Sequence, residues 1–233
     1  MTARQMWISL GLAALATLVC ILAQGIPNLA TGKPILWFPQ DLYSQVELIG
    51  FVTGVVGVYL MVVESTWNYP VGLIWAVGYG WYFFQMRHFG EATTMLISAG
   101  YLVDGWIKWS RGTTADELPV TLLKKHHWVV IGITLAIVIP LLICLLTEVH
   151  GAYVYWDATT TALSLTAQYL TNRKVFQSWF FWIFANIVII PVFIYRGWYP
   201  TAVLYSIFTV MAFVGIREWR RSLVGQPTMS PGA

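Results

Sequence analysis

Charged side chains are scarce in this sequence of 233 residues. Asp, Glu, Lys and Arg together make up 10% of it, whereas a soluble domain carries about 25%. Apolar residues make up 58%, and the mean hydropathy is +0.68. So few charges cannot cover a water-facing surface of ordinary size, and we therefore predict an all-α polytopic membrane protein.

Several catalytic and metal-binding signatures are also missing. The two cysteines, Cys20 and Cys144, lie in separate apolar runs, so no disulfide framework is expected. The sequence has no HExxH or GxSxG pattern and no mid-span lysine that could form a retinal Schiff base, and its basic residues form no stripe for nucleic acid. We expect no enzyme activity, no metal, no cofactor and no nucleic-acid partner.

Eight apolar runs approach the roughly 20 residues that a helix needs to cross a bilayer. The first could pass for a signal peptide, but no clear small-residue cleavage site follows it, so we interpret it as a retained helix. The proline-containing stretch 25–41 is predicted to be a loop, with Trp37 and Phe38 at the membrane interface. The predicted spans are residues 6–23, 42–63, 69–86, 92–109, 128–147, 153–174, 175–195 and 200–219.

The basic residues predict the orientation of these spans. If the N-terminus is cytoplasmic, eight spans return the C-terminus to the same side. Only Lys33, Arg87 and Arg196 then lie on the opposite side, and the other ten of the 13 Lys and Arg residues lie at cytoplasmic ends. Cytoplasmic loops of membrane proteins carry such an excess of positive charge. We expect both termini in the cytoplasm.

Two blocks of three spans share a weak internal similarity. The third span of each block follows an arginine, Arg87 or Arg196, and ends at a tryptophan, Trp109 or Trp219. Blocks separated by one helix run in the same direction, which is the parallel-repeat arrangement of some transporters. The predicted segments are 1–41, an N-terminal helix and periplasmic loop; 42–109, the first three-helix repeat; 110–148, a cytoplasmic loop and linker helix; 149–221, the second repeat; and 222–233, a disordered tail.

A polar stripe marks the span that begins near Tyr153. Its members follow one another at helical spacing: Asp157, Thr160, Thr161, Ser164 and Gln168. The next span is uncharged but carries Trp182 and Asn186 one turn apart. Such residues could simply hold helices together. Because polar groups at bilayer depth are costly unless they face a partner or water, we interpret the two spans as one wall of a polar pathway.

These residues carry a family resemblance. The string WDATTTALSLTAQYLTNRK from Trp156, the Trp182-x-x-x-Asn186 pattern and the string YPTAVLY from Tyr199 resemble the PnuC family of vitamin transporters. The resemblance implies a SWEET-like fold with a seven-helix 3+1+3 core, to which residues 6–23 add one N-terminal helix. It also implies a homotrimer that takes up nicotinamide riboside across the bacterial inner membrane, by facilitated diffusion with intracellular trapping by phosphorylation.

The chemistry of nicotinamide riboside suits the candidate residues. Its pyridinium cation would bind over an aromatic ring, its carboxamide would pair with a group that both donates and accepts, and its ribose hydroxyls would pair with polar side chains. The candidates are Trp182, Trp75 and Tyr79 for the cation, Asn186 for the carboxamide, and Gln168, Thr161, Ser164 and Asp157 for the ribose. No Arg or Lys lies mid-span to neutralise a phosphate, so we expect the mononucleotide to be excluded.

Other functions stay open at this point. Thiamine or another vitamin could replace the riboside. Asp157 could relay a proton or bind sodium, which would make the carrier ion-coupled. A non-transporting assembly or receptor protein would share the helix-packing glycines and the aromatic residues, but it would have little use for a stripe of five polar side chains on one helix face.

Overall fold

A computed structural model describes residues 2–30, 42–85, 89–111, 118–148 and 153–225. Eight helices account for most of them, as the apolar runs predicted. The helices are α1 (Ala3–Ala30), α2 (Leu42–Val62), α3 (Asn68–Gln85), α4 (Phe89–Ser110), α5 (Lys125–Glu148), α6 (Val154–Thr171), α7 (Ser178–Tyr195) and α8 (Tyr199–Gly225).

Two helices run further than the sequence predicted. The first, α1, continues past Gly25 and Pro27 to Ala30, into the stretch predicted to be a loop. The last, α8, continues to Gly225, past the predicted start of the tail. There Ser222 donates a hydrogen bond to Glu64 Oε1 at 2.5 Å, which ties the extra turn to another helix end. Trp37, Phe38 and residues 226–233 lie outside the described residues.

The helices pack as two sets of three. In the first trio (α2–α4) and in the second trio (α6–α8), the middle helix packs against both of the others. The trios meet where α2 packs against α8 and where α4 approaches α6. Helix α5 packs against α6, while α1 packs against α2 and α8. Helices α1 and α5 therefore lie outside the two trios.

Within the described residues, five helices are long and apolar enough to cross a membrane, judged by length and composition. Their apolar segments are Ala3–Ala23, Gln45–Val62, Lys125–Glu148, Ser178–Tyr195 and Tyr199–Val224. Helix α5 is the most apolar of them, and none of its residues is buried. An apolar helix that the protein leaves uncovered is expected to face lipid. The trio helices α3, α4 and α6 carry more polar residues or are shorter.

The main buried cluster lies where the C-terminal parts of α2, α4 and α8 meet the N-terminal ends of α3 and α7. Its aromatic members form two pairs with nearly the same geometry. Tyr69 and Trp109 have ring centroids 5.3 Å apart and planes at 85°, and Trp179 and Trp219 have centroids 5.3 Å apart and planes at 80°. The second pair lies 110 positions after the first in the sequence.

A glycine on the last helix of each trio makes room for these rings. A Cβ atom at Gly105 would overlap the Tyr69 ring, and one at Gly215 would overlap the Trp179 ring. These two glycines are again 110 positions apart. Close approach of a helix backbone to a large ring therefore occurs at matching places in both trios, where any side chain larger than hydrogen would force the helices apart.

Candidate functional site

The polar stripe of α6 lies on a partly covered face of that helix. Asp157, Thr161, Ser164 and Gln168 are half-buried, whereas the exposed positions of α6 are occupied by Tyr155, Trp156 and Tyr169. Thr160, the fifth predicted member, is buried and its hydroxyl donates to the Trp156 carbonyl oxygen at 2.9 Å. The hydrogen-bonding capacity of the Thr160 hydroxyl is therefore used within α6. The other four residues remain the candidates for contact with a ligand.

Gln168 is linked to the other trio through Asn172. Its Nε2 donates to Asn172 Oδ1 at 2.8 Å, and Asn172 is fully buried. Asn172 Nδ2 in turn donates to the Tyr101 carbonyl oxygen at 2.8 Å and to Asp104 Oδ2 at 3.1 Å, both on α4. The carboxamide of Gln168 is therefore held in one orientation by a network that joins α6 to α4.

Trp182 of α7 is oriented in a similar way, by a hydrogen bond to the C-terminal residue of α6. Its indole Nε1 donates to Thr171 Oγ1 at 3.1 Å. The carbonyl oxygen of Thr171 accepts a second indole hydrogen bond, from Trp109 of the first trio, at 3.2 Å. A hydrogen-bonded indole keeps its ring plane fixed, so Trp182 presents a pre-set aromatic face.

Asn186 lies one turn further along α7 and is 3% exposed. No described residue hydrogen-bonds to its side-chain amide. An amide that the protein leaves unpaired can both donate to and accept from a ligand. Among the predicted residues, the amide of Asn186 and the hydroxyls of Thr161 and Ser164 form no side-chain hydrogen bond with a described residue, so these groups are available to a ligand.

Trp75 and Tyr79 lie on α3, in the first trio. Their ring centroids are 5.5 Å apart and both side chains are half-buried. Tyr79 fills the space beside Gly50 of α2. Among the described residues, α3 packs against α2 and α4 but makes no close backbone contact with α7. Trp75 and Tyr79 therefore lie on a helix whose backbone does not pack directly against that of α7.

Asp157 lies in the first turn of α6, at the end opposite Thr171. The guanidinium of Arg196 is near enough to attract its carboxylate electrostatically. Arg196 also lies over the rings of Tyr153 and Trp198, at 4.3 and 4.6 Å from their centroids. Asp157 is thus part of a charged and aromatic cluster at one end of the second trio, apart from Trp182.

Sequence reasoning missed Asn172 and Thr171. Asn172 continues the stripe of α6, since it follows Gln168 by four residues, and the helical spacing alone could have identified it. Nothing in the sequence pointed to Thr171, whose two indole partners come from different helices. A groove of about 910 Å³ lies elsewhere, between α1, α2 and α8, and includes none of the predicted site residues.

Comparison with known proteins gives consistent results. Residues 44–221 match the family described as nicotinamide mononucleotide transporters. The nicotinamide riboside transporter PnuC of Escherichia coli K12 is 27% identical, covering 84% of this chain and 93% of its own length. The riboflavin/roseoflavin transporter RibM of Streptomyces davaonensis is 23% identical, covering 82% of this chain and 92% of its own. A crystal structure of the vitamin B3 transporter PnuC superposes with a TM-score of 0.70 at 19% identity, covering 96% and 93% of the two chains.

A match over most of the chain, together with several helices apolar enough to span a bilayer, defines the class as a multi-pass membrane transporter. The chain belongs to the PnuC family of vitamin transporters, as its motifs indicated. This family consists of transporters and not of enzymes.

Proposed function

We propose that this protein takes up nicotinamide riboside across the bacterial inner membrane. The observation that carries the proposal is the amide of Asn186, to which no described residue hydrogen-bonds, one turn from the hydrogen-bonded indole of Trp182. A carboxamide beside a flat cation is what such a pair would recognise, because an amide both donates and accepts and an indole face attracts positive charge. Uptake is by facilitated diffusion, and phosphorylation inside the cell traps the substrate.

The other candidate residues have secondary roles in this proposal. Thr161 and Ser164 contact the ribose hydroxyls, because their half-buried hydroxyls lie on the free part of the α6 stripe. Gln168 contributes its carbonyl oxygen, since its NH₂ group already donates to Asn172. Trp75 and Tyr79 line the pathway from the first trio and meet the substrate at a different point along its path. Asp157 attracts the cation at the entrance.

The architecture proposed is a 3+1+3 arrangement in which the two trios are parallel pseudo-repeats, joined by α5 and preceded by α1. The 110-residue offset between matching ring pairs and matching glycines supports it. All eight helices cross the membrane with both termini in the cytoplasm, and three copies of the chain assemble as a trimer. The domain boundaries are those given by the sequence, with α8 prolonged to Gly225.

Two relatives that are similarly identical to this chain in sequence are named as transporters of different vitamins. Family membership alone therefore leaves the substrate open. The name of the matched family specifies the mononucleotide. We propose that the riboside is preferred, because no Arg or Lys lies mid-span to bind a phosphate. Asp157 offers the alternative of ion coupling, and thiamine or riboflavin offers the alternative of another substrate.

The test is uptake of labelled nicotinamide riboside into sealed proteoliposomes. We expect saturable uptake that unlabelled riboside competes away, while the mononucleotide, thiamine and riboflavin do not. Uptake that is unchanged by proton and sodium ionophores supports facilitated diffusion. Equal competition by the mononucleotide would contradict the proposed selectivity, and a lack of any uptake with intact binding would favour a receptor.

A further inference from the structure

The turns that follow α2 and α6 share an unusual backbone. Glu64 and Lys174 both adopt positive φ, 54° and 49°, a conformation that usually belongs to glycine. In both turns the next residue closes a helix-ending motif: Ser65 N donates to Leu60 O at 2.8 Å, and Val175 N donates to Leu170 O at 3.0 Å. Glycine would fit either turn with less strain, so these two side chains need another explanation.

The explanation is that the two side chains pair with each other. Lys174 Nζ lies 3.0 Å from Glu64 Oε2, and the Lys174 side chain is 5% exposed. Glu64 Oε1 accepts a hydrogen bond from Ser222 of α8, and Lys174 Nζ lies 4.7 Å from the centroid of the Trp109 ring. The pair therefore joins the end of α2 in the first trio to the end of α6 in the second.

Two indole hydrogen bonds cross between the trios beside this ion pair. Trp109 of the first trio donates to Thr171 O of the second at 3.2 Å, and Trp219 of the second donates to Met61 O of the first at 3.3 Å. The two donors, Trp109 and Trp219, are 110 positions apart, and so are the two acceptors, Met61 and Thr171. Glu64 and Lys174 are also 110 positions apart, so they occupy equivalent positions in the two trios. At this place a residue of one trio therefore contacts its own equivalent in the other.

This geometry locates the ion pair on the axis that relates the trios. Counterpart residues can touch each other only near the axis that exchanges them, and in a protein built of parallel repeats the substrate is held between the repeats near the same axis. An ion pair at one end of that axis lies across the exit from the pathway.

We propose that Glu64 and Lys174, together with the crossed bonds of Trp109 and Trp219, form a clasp that closes one end of the pathway and opens when substrate leaves there. The proposal rests on the proposed transport function. Ion pairs and indole hydrogen bonds suit this role because water replaces their lost partners when the end opens, so opening costs little in net free energy. A seal of apolar side chains would expose apolar surface to water instead.

The Lys174 side of the clasp has a backbone anchor that the Glu64 side lacks among the described residues. The segment before α5 pins the Lys174 turn: Thr121 N donates to Lys174 O, and Phe176 N donates to Thr121 O, each at 2.9 Å. No described segment makes such backbone bonds across the Glu64 turn. Thr171 links the anchored side to the candidate substrate site, because its hydroxyl accepts from Trp182 while its carbonyl oxygen accepts from Trp109.

Reversible cross-linking tests the clasp. In a chain carrying Cys20→Ala and Cys144→Ala, Glu64→Cys and Lys174→Cys are joined by a thiol-cleavable bis-methanethiosulfonate linker. We expect riboside uptake into proteoliposomes to fall at least tenfold and to recover with dithiothreitol, while riboside binding in detergent changes less than twofold. Uptake at the unlinked rate by fully cross-linked protein would overturn the proposal.

The matched control is a second cysteine pair near the same end but within one helix. Arg221 and Glu218 of α8 form an ion pair at 2.7 Å, so Arg221→Cys with Glu218→Cys accepts the same linker. We expect uptake to be retained after linking this pair. Loss of uptake there as well would show that any cross-link at this end is inhibitory and would overturn the assignment to Glu64 and Lys174.

Thiol accessibility tests the clasp independently of transport. With Ser164→Cys in the same background, a membrane-impermeant maleimide is added from the clasp side of the bilayer. Glu64→Gln weakens closure, so we expect the thiol introduced at position 164 to react several-fold faster than with Glu64 present. An unchanged labelling rate would contradict the clasp, whereas faster labelling in Glu64→Gln, with no riboside uptake by the chain that keeps Ser164, would contradict only the proposed substrate.

Discussion

The two trios share the framework at one end but differ in the middle of their helices. The matching framework consists of ring pairs, facing glycines and crossed indole bonds, each repeated at an offset of 110 residues. At the same offset, however, Trp182 corresponds to Gly72 and Asn186 corresponds to the buried Ala76. The framework is therefore two-fold, while the candidate recognition residues belong mainly to the second trio.

This difference has a physical reason. A riboside is not symmetric, since its cation, its carboxamide and its sugar need different partners. One trio can supply these partners without disturbing the packing that both trios need. The following experiments test that separation, beginning with the largest expected effect.

The largest loss is expected from removing a framework ring. Trp179 is buried against Gly215 and Trp219, and Tyr69 has the matching position in the first trio. Trp179→Ala and Tyr69→Ala should each cost about 3–5 kcal/mol of folding free energy, because both leave a large cavity. The thermal unfolding midpoint of purified protein in detergent measures this. If only one of the two substitutions lowered the unfolding midpoint strongly, the two ring positions would not be structurally equivalent.

A matched change separates ring packing from polarity. Trp179 Nε1 is buried and has no hydrogen-bond partner among the described residues. Trp179→Phe keeps most of the ring volume and removes that unsatisfied donor, so it should cost far less than Trp179→Ala. If both substitutions lowered the midpoint equally, packing against Gly215 would not be the source of the stability.

The next effect concerns recognition. Asn186→Ala should weaken riboside binding about tenfold or more, because the substrate carboxamide would lose a partner that both donates and accepts. Isothermal titration in detergent measures the affinity, and an unchanged unfolding midpoint shows that the fold is intact. Trp75→Ala in the first trio is the comparison, for which we expect a smaller loss. A larger loss from Trp75→Ala would move the recognition site to the first trio.

A smaller effect is expected from Thr171→Val. The substitution removes the hydroxyl that accepts from Trp182 but keeps the carbonyl oxygen that accepts from Trp109. One neutral hydrogen bond contributes about 1 kcal/mol, so we expect binding to weaken by about fivefold with little change in stability. Thr166→Val is the control, since Thr166 bonds only to its own helix at Ala162. Equal effects of the two would contradict a role for Thr171 in orienting Trp182.

The smallest effect is expected at an ion pair outside the clasp. Lys108 and Asp104 of α4 lie 2.5 Å apart, but their side chains are 33% and 45% exposed. Lys108→Ala should change the folding free energy by less than about 1 kcal/mol and leave uptake unchanged, because solvent screens an exposed pair. A proteoliposome uptake assay checks this. A clear loss of uptake would show that charge at this end of the protein matters more than its position.

The helices were predictable from the sequence for a simple reason. Membrane spans are read from continuous apolar runs, and each of the eight runs coincides with a helix whose ends differ by a few residues. The exceptions are α1 and α8, where the helix outlasts the apolar run. Proline and glycine at 25–27 predicted a break, but membrane helices tolerate both residues because other groups can satisfy the freed backbone atoms.

The candidate site was only partly predictable. Spacing on α6 identified the half-buried residues and, followed one step further, would have identified Asn172. The bonds that orient Gln168 and Trp182 come from elsewhere in the chain, and the partners of Thr171 are separated from each other by more than 70 residues. Periodicity reports which residues share a face, and it carries no information about what that face meets.

The sequence by itself determined that this chain is a helical membrane protein of the PnuC family, since scarcity of charge and local motifs are properties of neighbouring residues. Only the tertiary structure decided that Glu64 meets Lys174, that hydrogen bonds of Trp109 and Trp219 cross between the trios, and that Asn186 is buried with no hydrogen-bond partner among the described residues. These contacts join residues 62 to 158 positions apart or depend on the burial of one side chain. They arise from the packing of two similar bodies against each other, which no single stretch of sequence encodes.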